Sequence, residues 1–262
     1  MELSHIIIAI VGSFIAGGIN TLAGNGSAIT LTILTEILGL PANVANGTNR
    51  VGVVAQSAAS TYSFYRHGKL NWLHSKFYII LMIVGAIVGT LVATWVSNEQ
   101  FRAVFRFLMV FMLVIILVKP SRWLRETDTS YQLPHWITIP AFLALGFYGG
   151  FIQMGMGIFF LAIMVLGARF SLTDSNVVKS LVVGVYTVLA VIIFQLNHQI
   201  HWLYGLVMAV GQMTGGYLAA TFASRYPHAN VWAHRLLVVM IIVAIIMLFD
   251  LDEILGQIFL IK

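Results

Sequence analysis

"AGGINTLAGNGSAIT", from Ala16 to Thr30, places glycines, amides and hydroxyls in the middle of an otherwise apolar sequence. The run HIIIAIVGSFI precedes it and the run LTILTEILGL follows it, so the polar groups fall where a membrane helix would be deepest. Unpaired backbone amides in hydrocarbon each cost several kcal/mol. The sequence therefore predicts a broken helix whose backbone groups face protein or a water-filled cavity.

The composition is typical of an all-α polytopic membrane protein. Of the 262 residues, 60% are hydrophobic and 9% are charged, and the mean hydropathy is +0.94. A spanning helix needs about 20 apolar residues, and we identify long apolar segments at 72–96, 100–118, 135–151, 201–223 and 231–249. The chain has no cysteine, which excludes disulfides and thiolate sites. We expect no binding of nucleic acid, because no basic face is left outside the bilayer.

The second half of the chain resembles the first at an offset of about 130 residues. The matching positions are Gly24, Gly26, Asn46 and Trp72 in one half and Gly155, Gly157, Asn176 and Trp202 in the other. We predict two membrane repeats, residues 1–130 and 131–262, each with a glycine-broken helical hairpin followed by three long helices. Because five segments per repeat is an odd number, the two repeats must have opposite orientations, like the inverted repeats of many secondary transporters. The pattern leaves open whether the short segments span fully or re-enter.

The basic residues indicate the orientation of the chain. Arg66, Lys69 and Lys76 lie between the third and fourth segments, whereas the equivalent NHQIHW, residues 197–202, has no Lys or Arg. By the positive-inside rule the first connection is cytoplasmic and the second is external. The same reasoning places Lys119, Arg122, Arg125 and Arg225 inside and the acidic residues Asp250, Asp252 and Glu253 outside. We expect a multi-pass protein of the bacterial inner (plasma) membrane with both termini external.

Two broken helices favour an anion site. A break creates a helix N-terminus, whose unpaired N–H groups and positive dipole end attract anions, and inverted repeats bring both breaks to the midplane. Arg50 and Lys179 lie within apolar segments, where cations are costly and usually functional; the alternative is that they cap helix ends or snorkel to the interface. The amides and hydroxyls near the breaks are equally consistent with substrate binding and with a role in packing helices together.

The block AGGINTLAGNGSAITLTILTEILGLPANVANGTNRVG, residues 16–52, resembles the TauE/SafE family of sulfite and sulfonate exporters. Members of that family carry a G-x-I-N-x-x-A-G-x-G break followed by L-G-L-P-x-x-x-A-N-x-T-N. The segments GFYGGFIQMGMG, 146–157, and SNVVKS, 175–180, resemble the counterparts in the second repeat. The resemblance implies export of a small sulfur oxyanion or organosulfonate, whereas the residues alone support only a transporter of an anion.

We therefore predict a secondary transporter that exports sulfite or an organosulfonate by alternating access, with substrate bound between the repeats. The alternatives are an anion channel, a transporter of another small carboxylate or sulfur oxyanion, an intramembrane enzyme, or a structural subunit. The sequence has no P-loop and no acid/base or metal constellation, so we expect no enzyme activity, metal or cofactor, and a coupling ion, H+ or Na+, if transport is driven. The oligomeric state, a homodimer included, stays open. The predicted substrate-binding residues are Asn20, Thr21, Asn25, Gly26, Ser27, Asn49, Arg50, Gln153, Gly155, Gly157 and Lys179.

The orientation predicts that Lys69 and Gln199 lie on opposite sides of the membrane. Single cysteines at these two positions of the cysteine-free chain should react with an impermeant thiol reagent from opposite sides of oriented vesicles. Reaction of both from the same side would exclude the inverted arrangement.

Overall fold

All regular structure in the described part of the chain is helical. The computed structural model describes residues 3–70, 72–95, 126–128, 131, 133–226 and 228–248. The helices are α1 (Leu3–Leu22), α2 (Gly26–Thr32), α3 (Ala42–Arg66), α4 (Trp72–Ala93), α5 (His135–Phe151), α6 (Met156–Ala162), α7 (Leu172–Leu196), α8 (Trp202–Arg225) and α9 (Ala229–Leu248). Five-residue π-helical turns, Ile33–Ile37 and Ile163–Gly167, follow α2 and α6.

The apolar segments predicted from the sequence are confirmed where the structure describes them. The segments at 72–96, 135–151, 201–223 and 231–249 correspond to α4, α5, α8 and α9. The segment at 100–118 lies outside the described residues, as do Lys119, Arg122, Arg125 and the acidic residues from Asp250 to Glu253. Within the described residues, four helices are long and apolar enough to span a bilayer: Leu3–Leu22, Lys76–Ala93, Leu172–Leu196 and Trp202–Arg225. The chain is therefore an all-α membrane protein.

Each glycine break is the tip of a helical hairpin. In the first half α2 runs back along α1, so that Gly26 lies against the backbone of Ala16 and the side chain of Ile33 lies against Gly12. In the second half Gly167, at the end of the turn after α6, lies against Leu133, which precedes α5. Each short segment thus returns to the side on which its hairpin began. Of the two arrangements that the sequence left open, the structure has the re-entrant one.

The first helix of each half packs against a long helix of the other half. Helix α1 packs against α8, and α5 packs against α4. Glycines make both contacts close: Gly211 and Gly215 of α8 lie against the backbone of α1, and Gly85 and Gly89 of α4 lie against the backbone of α5. Small residues allow helices in a bilayer to approach in this way. These four glycines therefore hold helices of the two halves of the chain in close contact.

The two hairpin tips touch each other in the interior. Gly24, with a φ of +85°, lies directly against the backbone of Gly157, and Gly155 has a φ of +75°. These φ values belong to the left-handed region that glycine adopts without a steric penalty. The glycines of both breaks are therefore required by backbone geometry and by the contact between the tips.

We expect Gly157→Ala to destabilise the protein, because its Cβ would lie 2.7 Å from the carbonyl oxygen of Gly24. Overpacking of this kind costs about 1–3 kcal/mol. The matched control is Gly18→Ala, whose Cβ would have its nearest neighbour at 3.7 Å, and which gains about 1 kcal/mol of helix propensity. Thermal unfolding of the purified variants in detergent measures both effects. Equal midpoints for the two variants would contradict the backbone contact between the tips.

Candidate functional site between the hairpin tips

The C-terminal ends of α1 and α5 are capped by cations from the opposite half of the chain. Lys179 of α7 donates to the carbonyl oxygens of Asn20, at 2.8 Å, and Thr21, at 3.0 Å. Arg50 of α3 donates to the carbonyl oxygens of Gly149 and Gly150, in the last turn of α5. A helix leaves its last carbonyls unpaired and carries negative dipole charge at that end, so a cation satisfies both needs.

An asparagine one turn before each cation completes the cap. The Asn46 amide donates to the carbonyl oxygen of Phe151 at 3.0 Å and its side-chain oxygen accepts from Arg50. The Asn176 amide donates to the carbonyl oxygen of Leu22 at 3.0 Å and accepts from Lys179. The same arrangement thus closes both broken helices. Of the roles that the sequence left open for Arg50 and Lys179, the structure shows that both cap helix ends.

Both cations are held by neutral oxygens in the part of the chain that the structure describes. Arg50 is fully buried and Lys179 is 4% exposed. In the region that the structure describes, their hydrogen-bond partners are carbonyl and amide oxygens, and the guanidinium of Arg50 also lies 5.5 Å from the centre of the Phe194 ring. Removing a charge from water is costly unless the surroundings replace its hydration. As far as the described residues go, dipoles and not carboxylates therefore balance the positive charge at this site.

A small cavity lies between the tips, beside Lys179. It has a volume of about 10 Å³, which is room for a single water molecule. Its walls are Asn20, Gln56, Ser57, Gln153, Met156, Gly157, Lys179, Ser180 and Val183. Three polar groups of these walls have no hydrogen-bond partner among the described residues: the hydroxyls of Ser57 and Ser180 and the amide nitrogen of Gln153. Buried polar groups are normally paired, so unpaired ones at a cavity indicate a place for water or a ligand.

Arg50 fixes which end of the Gln153 amide is unpaired. Its guanidinium donates to the side-chain oxygen of Gln153, and because arginine has only donors, that oxygen must face it. The amide nitrogen of Gln153 is therefore the group left without a partner. The other two wall amides bond to each other: the side-chain oxygen of Gln56 accepts from Asn20 at 3.0 Å. The unpaired groups of the cavity thus supply N–H and O–H donors, which is the chemistry of an oxyanion site.

The structure brings four of the eleven predicted site residues to this cavity: Asn20, Gln153, Gly157 and Lys179. Arg50 is not a wall of the cavity but donates a hydrogen bond to the wall residue Gln153. Asn25 and Ser27 are buried and have side-chain atoms without a partner, but neither is a wall residue. Asn49 accepts from Thr30 at 2.6 Å, and the hydroxyl of Thr21 contacts that of Ser60 at 3.0 Å. Gly26 and Gly155 shape the tips.

The sequence analysis left Ser180 out of the site, together with Gln56 and Ser57. Gln56 and Ser57 belong to α3, far along the chain from either break, and Ser180 follows Lys179 on α7. A serine beside an intramembrane lysine was the available indication for Ser180. The spacing of the polar residues along α3 does not by itself indicate which of them reach the hairpin tips.

The comparisons with known proteins agree with a membrane transporter. The chain matches the family described as "Sulfite exporter TauE/SafE" over residues 9–248. It is 28% identical over 241 residues to "Probable membrane transporter protein ORF9" of Sinorhizobium sp, which covers 92% of this chain and 91% of that protein. It is 27% identical over 206 residues to "Probable membrane transporter protein YfcA" of Escherichia coli strain K12, which covers 78% of this chain and 75% of that protein. No solved structure matches it.

We expect Arg50→Met and Lys179→Met to lower stability, because each leaves carbonyls of a broken helix unpaired. The cost is roughly 1–3 kcal/mol for each unpaired carbonyl. Arg66→Met is the matched control, since it removes an exposed cation from the end of α3 and should change stability little. Unfolding in detergent measures all three variants. Stability equal to that of the control would contradict the capping role.

Proposed function

This chain belongs to the sulfite exporter TauE/SafE family, and from that premise we propose that it exports a small anion through the cavity between the hairpin tips. It is a membrane transporter. The first candidates for the anion are sulfite and an organosulfonate, and the proposed mechanism is alternating access between two inverted repeats, residues 1–130 and 131–262, in a bacterial inner membrane.

The observation that carries the proposal is the excess of donors at the cavity. The ammonium of Lys179, the hydroxyls of Ser57 and Ser180 and the Gln153 amide nitrogen line one space. A sulfite or sulfonate group presents charged oxygens, and a hydrogen bond to a charged group contributes roughly 1.5–3 kcal/mol. Each unpaired donor would gain such a bond when the anion enters. The cavity must widen for this, since it now has room for a water molecule only.

We assign different roles to the two cations. All three partners of Lys179 are neutral oxygens, and its side chain is a wall of the cavity, so it is the cation that an anion would meet. Arg50 instead holds the end of α5 and orients the Gln153 amide. The first supplies charge to the anion, and the second keeps a donor aimed at it.

A difference between the two faces of the molecule supports alternating access. On the face that carries Lys69 a cavity of about 430 Å³ extends to Asp174 and Phe170 at the start of α7. Its wall residue Tyr78 packs against Phe142, and Phe142 packs against Phe160, with ring centroids 4.5 Å and 5.7 Å apart. On the opposite face the backbone N–H of His201 donates to Thr48 at 2.9 Å, and Gln199 packs against Gly47. Among the described residues, the first face has a recess and the second has these close contacts, a difference expected of one state in an alternating cycle.

A channel fits these observations less well. An open channel needs a continuous path, whereas the central cavity has room for one water molecule and shares no wall residue with the larger recess. The anion must therefore be passed on by a change of conformation.

Counterflow in proteoliposomes tests the proposal. Vesicles loaded with sulfite, sulfoacetate, taurine or thiosulfate should accumulate the labelled form of at least one of them. Ser180→Ala should raise the half-saturating concentration at least about tenfold, because a lost hydrogen bond to a charged group is worth roughly 1.5–3 kcal/mol. Ser175→Ala is the matched control: Ser175 is buried in the same helix and is also unpaired, but it is not a wall of the cavity.

An absence of counterflow for every compound would contradict transport of a sulfur anion. Equal effects of the two serine variants would contradict the assigned site while leaving transport itself intact.

A further inference from the structure

The central cavity lies to one side of the hairpin tips, toward the face that carries Lys69. Its wall residues Lys179 and Ser180 are near the start of α7, and the start of α7 lines the recess of that face. Its wall residues Gln56 and Ser57 are in the half of α3 that leads to the same face. The other side of the tips is therefore formed by other residues of the same helices.

Five wall residues of the cavity have counterparts in the other half of the chain. Equivalent positions of α3 and α7 are 130 residues apart, as the paired caps Asn46 and Asn176 are, and at the tips the offset is 131. The counterparts are Tyr186 for Gln56, Thr187 for Ser57, Asn25 for Met156, Asn49 for Lys179 and Arg50 for Ser180. We call these five counterparts the second site.

Every residue of the second site is buried and has a polar atom without a hydrogen-bond partner in the described structure. All five are at most 1% exposed. The unpaired atoms are both ends of the Asn25 amide, the amide nitrogen of Asn49, Nε of Arg50 and the hydroxyls of Tyr186 and Thr187. Native proteins pair nearly all of their buried polar groups. Unpaired groups thus recur at the counterparts of the residues that form the cavity.

Contacts at Gly149 bring Arg50 and Tyr186 together. Arg50 donates to the carbonyl oxygen of Gly149, and a Cβ on this glycine would lie 2.7 Å from the hydroxyl of Tyr186. Thr187 follows Tyr186 on α7. This part of the second site therefore lies where α3, α5 and α7 meet.

The two amides of the second site lie at the tip of the first hairpin. Asn25 directly precedes α2. The side-chain oxygen of Asn49 accepts from the hydroxyl of Thr30 at 2.6 Å, and the carbonyl oxygen of Ser27 lies 3.1 Å from the same hydroxyl. Asn49 therefore packs against the first turns of α2. Because its oxygen is paired with Thr30, the amide nitrogen is the group that stays free to donate.

The second site lies nearer the face that carries Gln199. Asn49 and Arg50 directly follow Thr48, whose hydroxyl accepts from the backbone N–H of His201 on that face. The two sites are seven residues apart on each long helix, at positions 50 and 57 of α3 and positions 180 and 187 of α7. Seven helical residues rise about 10 Å. An anion that leaves the cavity toward the Gln199 face would therefore meet the second site about 10 Å further on.

The chemistry of the second site is that of an anion site. Nε of Arg50 and the amide nitrogen of Asn49 are donors only, and the two hydroxyls and the Asn25 amide are also able to donate. Arg50 supplies the positive charge that Lys179 supplies at the cavity. Hydrogen bonds from a charged donor to an oxyanion are among the strong ones in proteins.

We propose that the second site binds the transported anion in the opposite state of the transporter, after the anion has left Lys179 and passed the hairpin tips. This inference rests on the proposed function. In the state described here Tyr186 packs in the apolar core with Phe142 and Phe160, so the second site opens only when this packing changes. The anion then exchanges one set of donors for an equivalent set.

Side-specific labelling of single cysteines tests the second site. Thr187→Cys and Ser180→Cys each place the one thiol of the chain at one of the two sites. Right-side-out and inside-out membrane vesicles expose opposite faces, and cysteines at Lys69 and Gln199 identify which face is which. A methanethiosulfonate that carries a sulfonate should modify Thr187→Cys from the Gln199 side and Ser180→Cys from the Lys69 side.

The transported anion should protect the second-site cysteine. An anion that the counterflow assay shows to be carried, added on the Gln199 side at ten times its half-saturating concentration, should slow the modification of Thr187→Cys about tenfold by mass action. Asn25→Cys is the second variant and should behave alike. Ser175→Cys is the matched control, because Ser175 is a buried, unpaired residue of α7 that belongs to neither site, and the anion should not change its rate.

Modification of Thr187→Cys and Ser180→Cys from the same side would overturn the inference. A lack of protection at both Thr187→Cys and Asn25→Cys would also overturn it, while the proposed function stands as long as the wild type exchanges the anion. Failure of wild-type counterflow would instead remove the proposed function, and this inference with it.

Discussion

The carbonyl and amide groups that two broken helices expose inside the membrane are the constraint on which the rest of this structure depends. Water is not there to bind them, so the protein must. Lys179 and Arg50 bind the last carbonyls of α1 and α5, and each comes from the half of the chain that does not contain the helix it caps. The two halves are therefore held together at the points where each alone would be unstable.

The same constraint produces the site. Capping the broken helices brings two cations, their asparagines and the hairpin tips into one small region, where Gly24 touches Gly157. Each cation is balanced by neutral dipoles, so the region keeps a positive charge and unpaired donors such as the Gln153 amide nitrogen. A structure that needs cations for stability thus offers positive charge to the anion that we propose it transports.

The sequence predicts the parts of this arrangement that local patterns encode. Glycines between apolar runs mark both breaks, apolar length marks the helices, and Arg50 and Lys179 are conspicuous because charge is rare at membrane depth. Their partners are not predictable, because the carbonyls that Lys179 binds lie 159 and 158 positions away along the chain and any helix end offers the same groups. The re-entrant path of α6 likewise brings Gly167, in the turn after it, against Leu133, a contact that no local pattern contains. Polar residues recur at helical spacing on α3, from Gln56 to Ser63. Only the structure shows that this side of α3 contacts Thr21 of α1 and Thr221 of α8.

The most direct test of the central claim uses a single cysteine at the proposed anion site. Ser180→Cys changes one atom of an unpaired, buried wall residue in a chain that has no other cysteine. A methanethiosulfonate that carries a sulfonate should modify this cysteine faster than a cationic reagent of similar size, and the transported anion should protect it in proportion to its occupancy. Equal reaction with both reagents, or no protection by an anion that the same vesicles exchange, would contradict a donor-lined anion site between the hairpin tips.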